Sequence, residues 1–203
     1  MFPKKLFLLA VLALVFPIAV FANSSVDFTN SGGTLSGTNS GLSLSGSTLT
    51  SVNGLNGGGL ITGNLGSVTL STGALVSGSL AMGGTLAGGG AFTITGNGTN
   101  GVPNGVIFSG TFSGPVTWSL VTLSDGTHNY TLTGVLVGSL LGATTNGVTV
   151  QLTVNTGTGF FNGSVTLGSG DTNIQVVPEP STLSLFGAGM LGFAGILRHR
   201  LRR

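Results

Sequence analysis

Apolar and polar residues alternate with a period of two along much of the chain. Val148-Thr149-Val150-Gln151-Leu152-Thr153-Val154 keeps the alternation strictly, which is the pattern of a strand with one buried face. Phe92-Thr93-Ile94, Val106 to Phe112, Val116 to Leu123, Tyr130 to Val137 and Ser164 to Leu167 are further strand candidates. Asn104-Gly105, Asp125-Gly126, Asn146-Gly147 and Asn162-Gly163 lie between such runs and read as turns. No stretch between residues 23 and 177 carries a helical period with caps, so an all-β, mostly antiparallel body is predicted there.

Residues 31–90 are looser. Leu or Val recurs every few positions among Gly, Ser, Thr and Asn, as in Gly41-Leu42-Ser43-Leu44-Ser45-Gly46 and Ser67-Val68-Thr69-Leu70-Ser71. A β-solenoid would stack at nearly constant spacing, and no fixed period holds here. The expected architecture is therefore a Gly/Ser/Thr-rich antiparallel β-sandwich or roll built from hairpins, with a β-solenoid as the alternative. Sheet edges are usually guarded by Lys, Pro or inward charges. This body has no Lys and only Pro103 and Pro115, so either its edges or faces self-associate, or short strands and Gly-rich twists already protect them.

The alternation gives way at both ends. Residues 1–22 read as a secretory signal: Lys4 and Lys5 form a positive start, Leu6 to Phe16 an apolar core, and Pro17 a helix breaker. Val20-Phe21-Ala22 places small residues where a signal peptidase needs them, so cleavage is expected between Ala22 and Asn23. The last 26 residues have three parts in order. Pro178-Glu179-Pro180 comes first, an apolar run over 181–197 second, and a basic cluster of Arg198, Arg200, Arg202 and Arg203 last. The prolines hold the backbone extended and bias Val177 away from helix. At about 1.5 Å per residue the apolar run would make a transmembrane helix of roughly 26 Å, slightly short for the bilayer core. The arginines would keep its C-terminal end cytoplasmic.

This tail, Val177-Pro178-Glu179-Pro180-Ser181-Thr182 with a short Gly-rich span and a terminal Arg cluster, resembles the PEP-CTERM sorting domain. The same tail also goes by the label ice-binding protein C-terminal domain. The resemblance implies a substrate of exosortase, a membrane-embedded cysteine transpeptidase of Gram-negative bacteria that make exopolysaccharide. It implies processing near Pro178 to Pro180 after a transient stay in the inner membrane, and a destination at the cell surface or outside the cell.

Charge and chemistry narrow the body's role. Only 5% of residues are charged, against roughly 25% in an ordinary domain, yet 40% are hydrophobic, which argues for a packed core rather than disorder. Residues 23–177 hold no Lys or Arg and three acids, Asp27, Asp125 and Asp171. A body without cations cannot neutralise phosphates, so no nucleic-acid partner is expected. Cys is absent, which removes disulfides and thiolate metal sites. Gly187-Ala188-Gly189-Met190-Leu191-Gly192 fits a dinucleotide fingerprint, but it lies inside the apolar tail without the βαβ context that motif needs. Those glycines suit close helix packing in a membrane instead.

Catalytic constellations do not emerge. The G-x-S-x-G nucleophile elbow is missing. His128, the body's one histidine, follows Asp125 by three residues in a tight polar turn, an awkward geometry for a triad, and reads as a solvated loop residue. Asp171-Thr172-Asn173 and Asp125 offer oxygen ligands, but too few carboxylates for calcium. The acceptor sequons at Asn97, Asn129 and Asn162 read as coincidence in an Asn/Thr-rich chain. The expectation is a non-enzymatic surface or matrix protein, without cofactor or metal, associated with exopolysaccharide and biofilm. The alternative is a carbohydrate- or ice-binding surface module, whose Thr93-Ile94-Thr95 and Thr131-Leu132-Thr133 have the form of ice-binding rows; a hydrolase comes third.

Overall fold

A computed structural model describes residues 24–176. The signal segment, the Pro-Glu-Pro, the apolar run and the Arg cluster all lie outside those residues. Thirteen strands follow one another: β1 Ser24–Ser31, β2 Thr34–Thr38, β3 Gly41–Asn53, β4 Ile61–Ser71, β5 Leu75–Ser79, β6 Gly83–Leu86 and β7 Gly89–Asn97. They continue as β8 Asn104–Phe112, β9 Val116–Thr122, β10 His128–Leu140, β11 Ala143–Asn155, β12 Ser164–Thr166 and β13 Ser169–Val176. All strand pairs are antiparallel.

Eight strands close into a ring in the order β1-β3-β4-β7-β8-β10-β11-β13, with β13 returning to β1. Each ring strand pairs with the next ring strand along the chain, so the architecture is an up-and-down barrel. Closure runs from Ser24↔Val176 to Asn30↔Gly170. The direction alternates, so the short links over 54–60, 98–103 and 141–142 and both ends of the described chain fall at one pole. The remaining strands are insertions at the opposite pole. β2 pairs with β3 and β12, while β9 pairs with β10 and β6, and β6 pairs with β5.

The expected sandwich or roll is thus a closed barrel, and the solenoid alternative is not adopted. Residues 31–90, which look loose in sequence, carry five strands. Two presumed turns also differ. Gly147 has φ 84 within β11, beside a register shift against β10, and Gly105 has φ 103 within β8. The β10–β11 turn is Leu141-Gly142 instead, with both residues at positive φ. Asn-Gly favours positive φ, which a strand bulge uses as readily as a hairpin turn.

Alternation builds the core. On β10, Tyr130, Leu132, Leu136 and Leu140 point inward with Val148, Val150, Leu152 and Val154 of β11, while Thr131, Thr133 and Gln151 point out. The apolar interior contrasts with the polar lumen of membrane barrels, while the outer face of β10 is mixed, with Val135 and Val137 exposed beside Thr133. Gly134 takes an inward position where a Cβ would lie 2.6 Å from the Phe112 ring, so the aromatic fills the space the missing side chain leaves. The insertion pole is plugged by Trp118, Tyr130 and Phe161. The Trp118 and Tyr130 rings stack at 5.0 Å, and Phe161 meets Trp118 edge-on at 5.5 Å. Trp118 Nε1 donates to the Leu80 carbonyl (2.8 Å) and Tyr130 Oη to that of Ala81 (2.6 Å). The Phe161 N–H in turn donates to Tyr130 Oη (3.0 Å).

Ring closure also bears on self-association. Both edges of every ring strand are paired, and among the described residues only β5 and β12 keep a free edge. These are five and three residues long, and β5 is interrupted by a register shift. Closure therefore removes most of the ground for association through edges.

Candidate functional site

An open groove of about 660 Å³ runs over the barrel wall across β9, β10, β11, β13 and β1. Strand register lays two cross-strand rows along it. One row runs Thr117–Thr133–Gln151–Asp171–Thr29. The other runs Val135–Thr149–Asn173–Asp27. Steps along a row are about 4.8 Å, and the rows lie roughly 7 Å apart. Because side chains alternate, the inward partners of these residues are core groups such as Phe28, Val150 and Leu152, and the groove is held on a rigid wall.

Two of the body's three acids meet here. Asp27 sits opposite Asn173, two residues along β13 from Asp171, which makes the carboxylates diagonal neighbours at a backbone separation of roughly 7–8 Å. The Asn173 side-chain amide donates to Asp27 Oδ1, and Thr29 Oγ1 donates to Asp171 Oδ1 at 3.1 Å. Sequence reading treats these acids as isolated because 144 positions separate them along the chain; the pairing of the first strand with the last brings them together. A glycosidase acid needs one carboxyl in an apolar pocket, whereas both of these face polar neighbours at the surface.

Other expected site residues fall elsewhere. His128 is buried rather than solvated: it stacks on Phe160 at 4.4 Å, with Nδ1 3.1 Å from Thr122 Oγ1. Asp125 does not orient it. That carboxylate accepts hydrogen bonds from the Thr127 N–H (2.9 Å) and Oγ1 (2.8 Å), and the backbone bond, then the hydroxyl, hold its pKa below the ordinary 3.8. Thr172, between Asp171 and Asn173, points into the core, so the three do not form one ligand set. Among the described residues no group of three or more His, Asp or Glu could hold a metal ion. Trp118 and Tyr130, the aromatics suited to stacking on a sugar, are buried in the plug. Ala22, Asn23, Pro178, Glu179, Pro180, Arg198, Arg200, Arg202 and Arg203 lie outside the described residues.

The last paired residue, Val176, is also where a family match begins. Residues 176–200 match the PEP-CTERM protein-sorting motif. The motif indicates export and sorting to the cell surface, and implies processing by exosortase, a membrane enzyme. No curated protein and no solved structure matches the chain. The PEP-CTERM motif therefore speaks for the tail, and the barrel has to be read from its own geometry.

Proposed function

We propose that this chain is a non-enzymatic structural protein of the cell surface or extracellular matrix, associated with exopolysaccharide and delivered by the exosortase route. The observation that carries the reading is the sorting motif placed directly after the strand that closes the barrel. Support also comes from the body's outer wall, which is coated with Ser, Thr and Asn and is nearly free of charge. Signal peptidase would release the N-terminus at Asn23, and exosortase would act near Pro178 to Pro180 while the tail spans the inner membrane.

Intact-mass and terminal-peptide analysis of the native protein, from cell envelope and medium, tests this. A mature chain that starts at Asn23 and ends between Pro178 and Pro180 is expected. Retention of Arg203 in the inner membrane would make it an ordinary anchored protein and end the exosortase reading.

The second reading is a carbohydrate- or ice-binding surface module. In its favour, the outer wall carries a groove lined in part by Thr133, with Thr131 outward on the same strand, and Thr93 and Thr95 project outward from β7 elsewhere on the wall. Thermal hysteresis in a nanolitre osmometer separates the ice form: a freezing gap that grows with protein concentration would favour it, and none would remove it.

A further inference from the structure

We propose that the pole of the barrel where its two ends meet is a membrane-docking surface, which settles on a lipid bilayer through Leu60 and Leu141. This surface deepens the reading in which the tail spans the inner membrane, on which it rests, by giving the barrel a defined face toward the lipid.

The tether sets the partner. Val176 ends β13 at this pole, and only residues 177–180 separate it from the apolar run over 181–197. Four residues reach about 14 Å when fully extended. With the apolar run in the bilayer, a tether that short keeps this pole beside the lipid.

The rim suits such a contact. Leu60 is 66% exposed on the β3–β4 link, and Leu141 is 43% exposed on the β10–β11 turn. Those links lie four strands apart in the eight-strand ring, on opposite sides of the pole, so both leucines can meet one flat surface. Val106, near the start of β8, is a third exposed apolar group close to the same rim. Leu141 also breaks a local preference. It holds φ 49, a conformation that favours Gly or Asn, and it presents an apolar side chain to solvent. A residue unfavourable to the isolated fold on both counts is explained by a partner that the isolated fold lacks.

Charge agrees. The links over 54–60, 98–103 and 141–142 contain no charged residue, so entry into the headgroup region desolvates no ion there. Asp27, the acid on β1, is held by the Asn173 amide and is not carried on a link. The opposite pole also exposes apolar groups, Val76, Met82 and Phe160 among them. Its β9–β10 loop, however, carries Asp125, whose carboxyl is held below its ordinary pKa by Thr127, and no tether leads from it to a membrane.

Cys is absent from the chain, so single cysteines can carry an environment-sensitive fluorophore at chosen points. The full chain, with its tail intact, is reconstituted in phosphatidylcholine vesicles in which some lipids bear a nitroxide quencher on the headgroup. Labels at Leu60→Cys and Leu141→Cys are expected to be quenched about threefold more strongly than one at Leu123→Cys, an exposed position at the opposite pole. A label at Ala143→Cys, exposed beside the turn, reports the same contact while both leucines vary. The double variant Leu60→Ser/Leu141→Asn should lose about half of that quenching while unfolding cooperatively. The labels at the two leucine positions keep the test valid if the double variant does not fold. Equal quenching at positions 60, 141 and 123, or undiminished quenching at Ala143→Cys in the folded double variant, would overturn the proposal. A chain that floats with the vesicles and shows no such contrast loses the docking surface and keeps a spanning tail; one that does not float with them loses both.

Discussion

Thr172 shows how one atom can work against the barrel that surrounds it. Its Oγ1 is buried without a hydrogen-bond partner, in a strand position where the neighbouring inward residue is Ile174. An unpaired buried hydroxyl costs about 1–3 kcal/mol. Thr172→Val keeps the shape and removes the hydroxyl, so it should stabilise the fold by about 1 kcal/mol, read as a higher urea midpoint at unchanged slope. Asp125 makes the opposite case. Hydrogen bonds from Thr127 hold its carboxyl below the ordinary 3.8, so the ionised form favours the folded state. That contribution is present above the unfolded value and disappears as pH falls through the folded one. Asp125→Asn should therefore flatten the acid limb of a stability-versus-pH curve, leaving the order of wild type above variant at neutral pH. Neither effect is visible in sequence. Thr172 looks like any strand threonine, and only the turn chemistry of Asp125-Gly126-Thr127 hints at the second.

At the scale of elements, the hairpin between β10 and β11 is where sequence and structure part. Asn146-Gly147 is the stronger turn signal, yet the chain turns five residues earlier, at Leu141-Gly142. Leu140↔Ala143 closes that hairpin, and Phe108 of β8 pairs with Leu140, so the turn at 141–142 goes with Leu140 buried in the core. Leu141 accepts φ 49 as a result, a conformation costing about 1–2 kcal/mol for a residue with a side chain of this kind. Leu141 is substantially exposed. Leu141→Asn should therefore raise stability by about 1 kcal/mol in thermal or urea unfolding, and a lower midpoint would show that Leu141 packs more than its exposure indicates. The strand runs after residue 90 are legible because alternation recurs in them, strictly so over 148–154. Those over 31–90 are not, because glycines interrupt the period. Gly66 illustrates why: a Cβ there would lie 1.9 Å from the Thr95 carbonyl oxygen, so the strands approach too closely for any other residue.

For the whole molecule, the pairing of β1 with β13 is the decisive contact. It joins the ends of the described chain, since Ser24 lies opposite Val176. It closes the ring and assembles the Asp27–Asp171 patch. A circular permutant that links Val176 to Ser24 through a short Gly-rich loop, with new ends at Asn100 and Gly101 between β7 and β8, should fold cooperatively. Its unfolding slope should match the body's own, because buried surface is unchanged. A permutant that melts without a cooperative transition would mean that the natural ends do more than close the ring.

By itself the sequence determined what depends on neighbouring residues. The sorting motif with its Pro178-Glu179-Pro180, the all-β class and the cation-free body follow from local composition, order and a period of two. Tertiary structure alone decided what depends on distant ones. Whether hairpins form a sandwich or a ring, which way Trp118, Tyr130 and His128 face, and which acids share a groove turn on strand register. Register is set by the summed burial of side chains far apart in the chain, which no local pattern encodes.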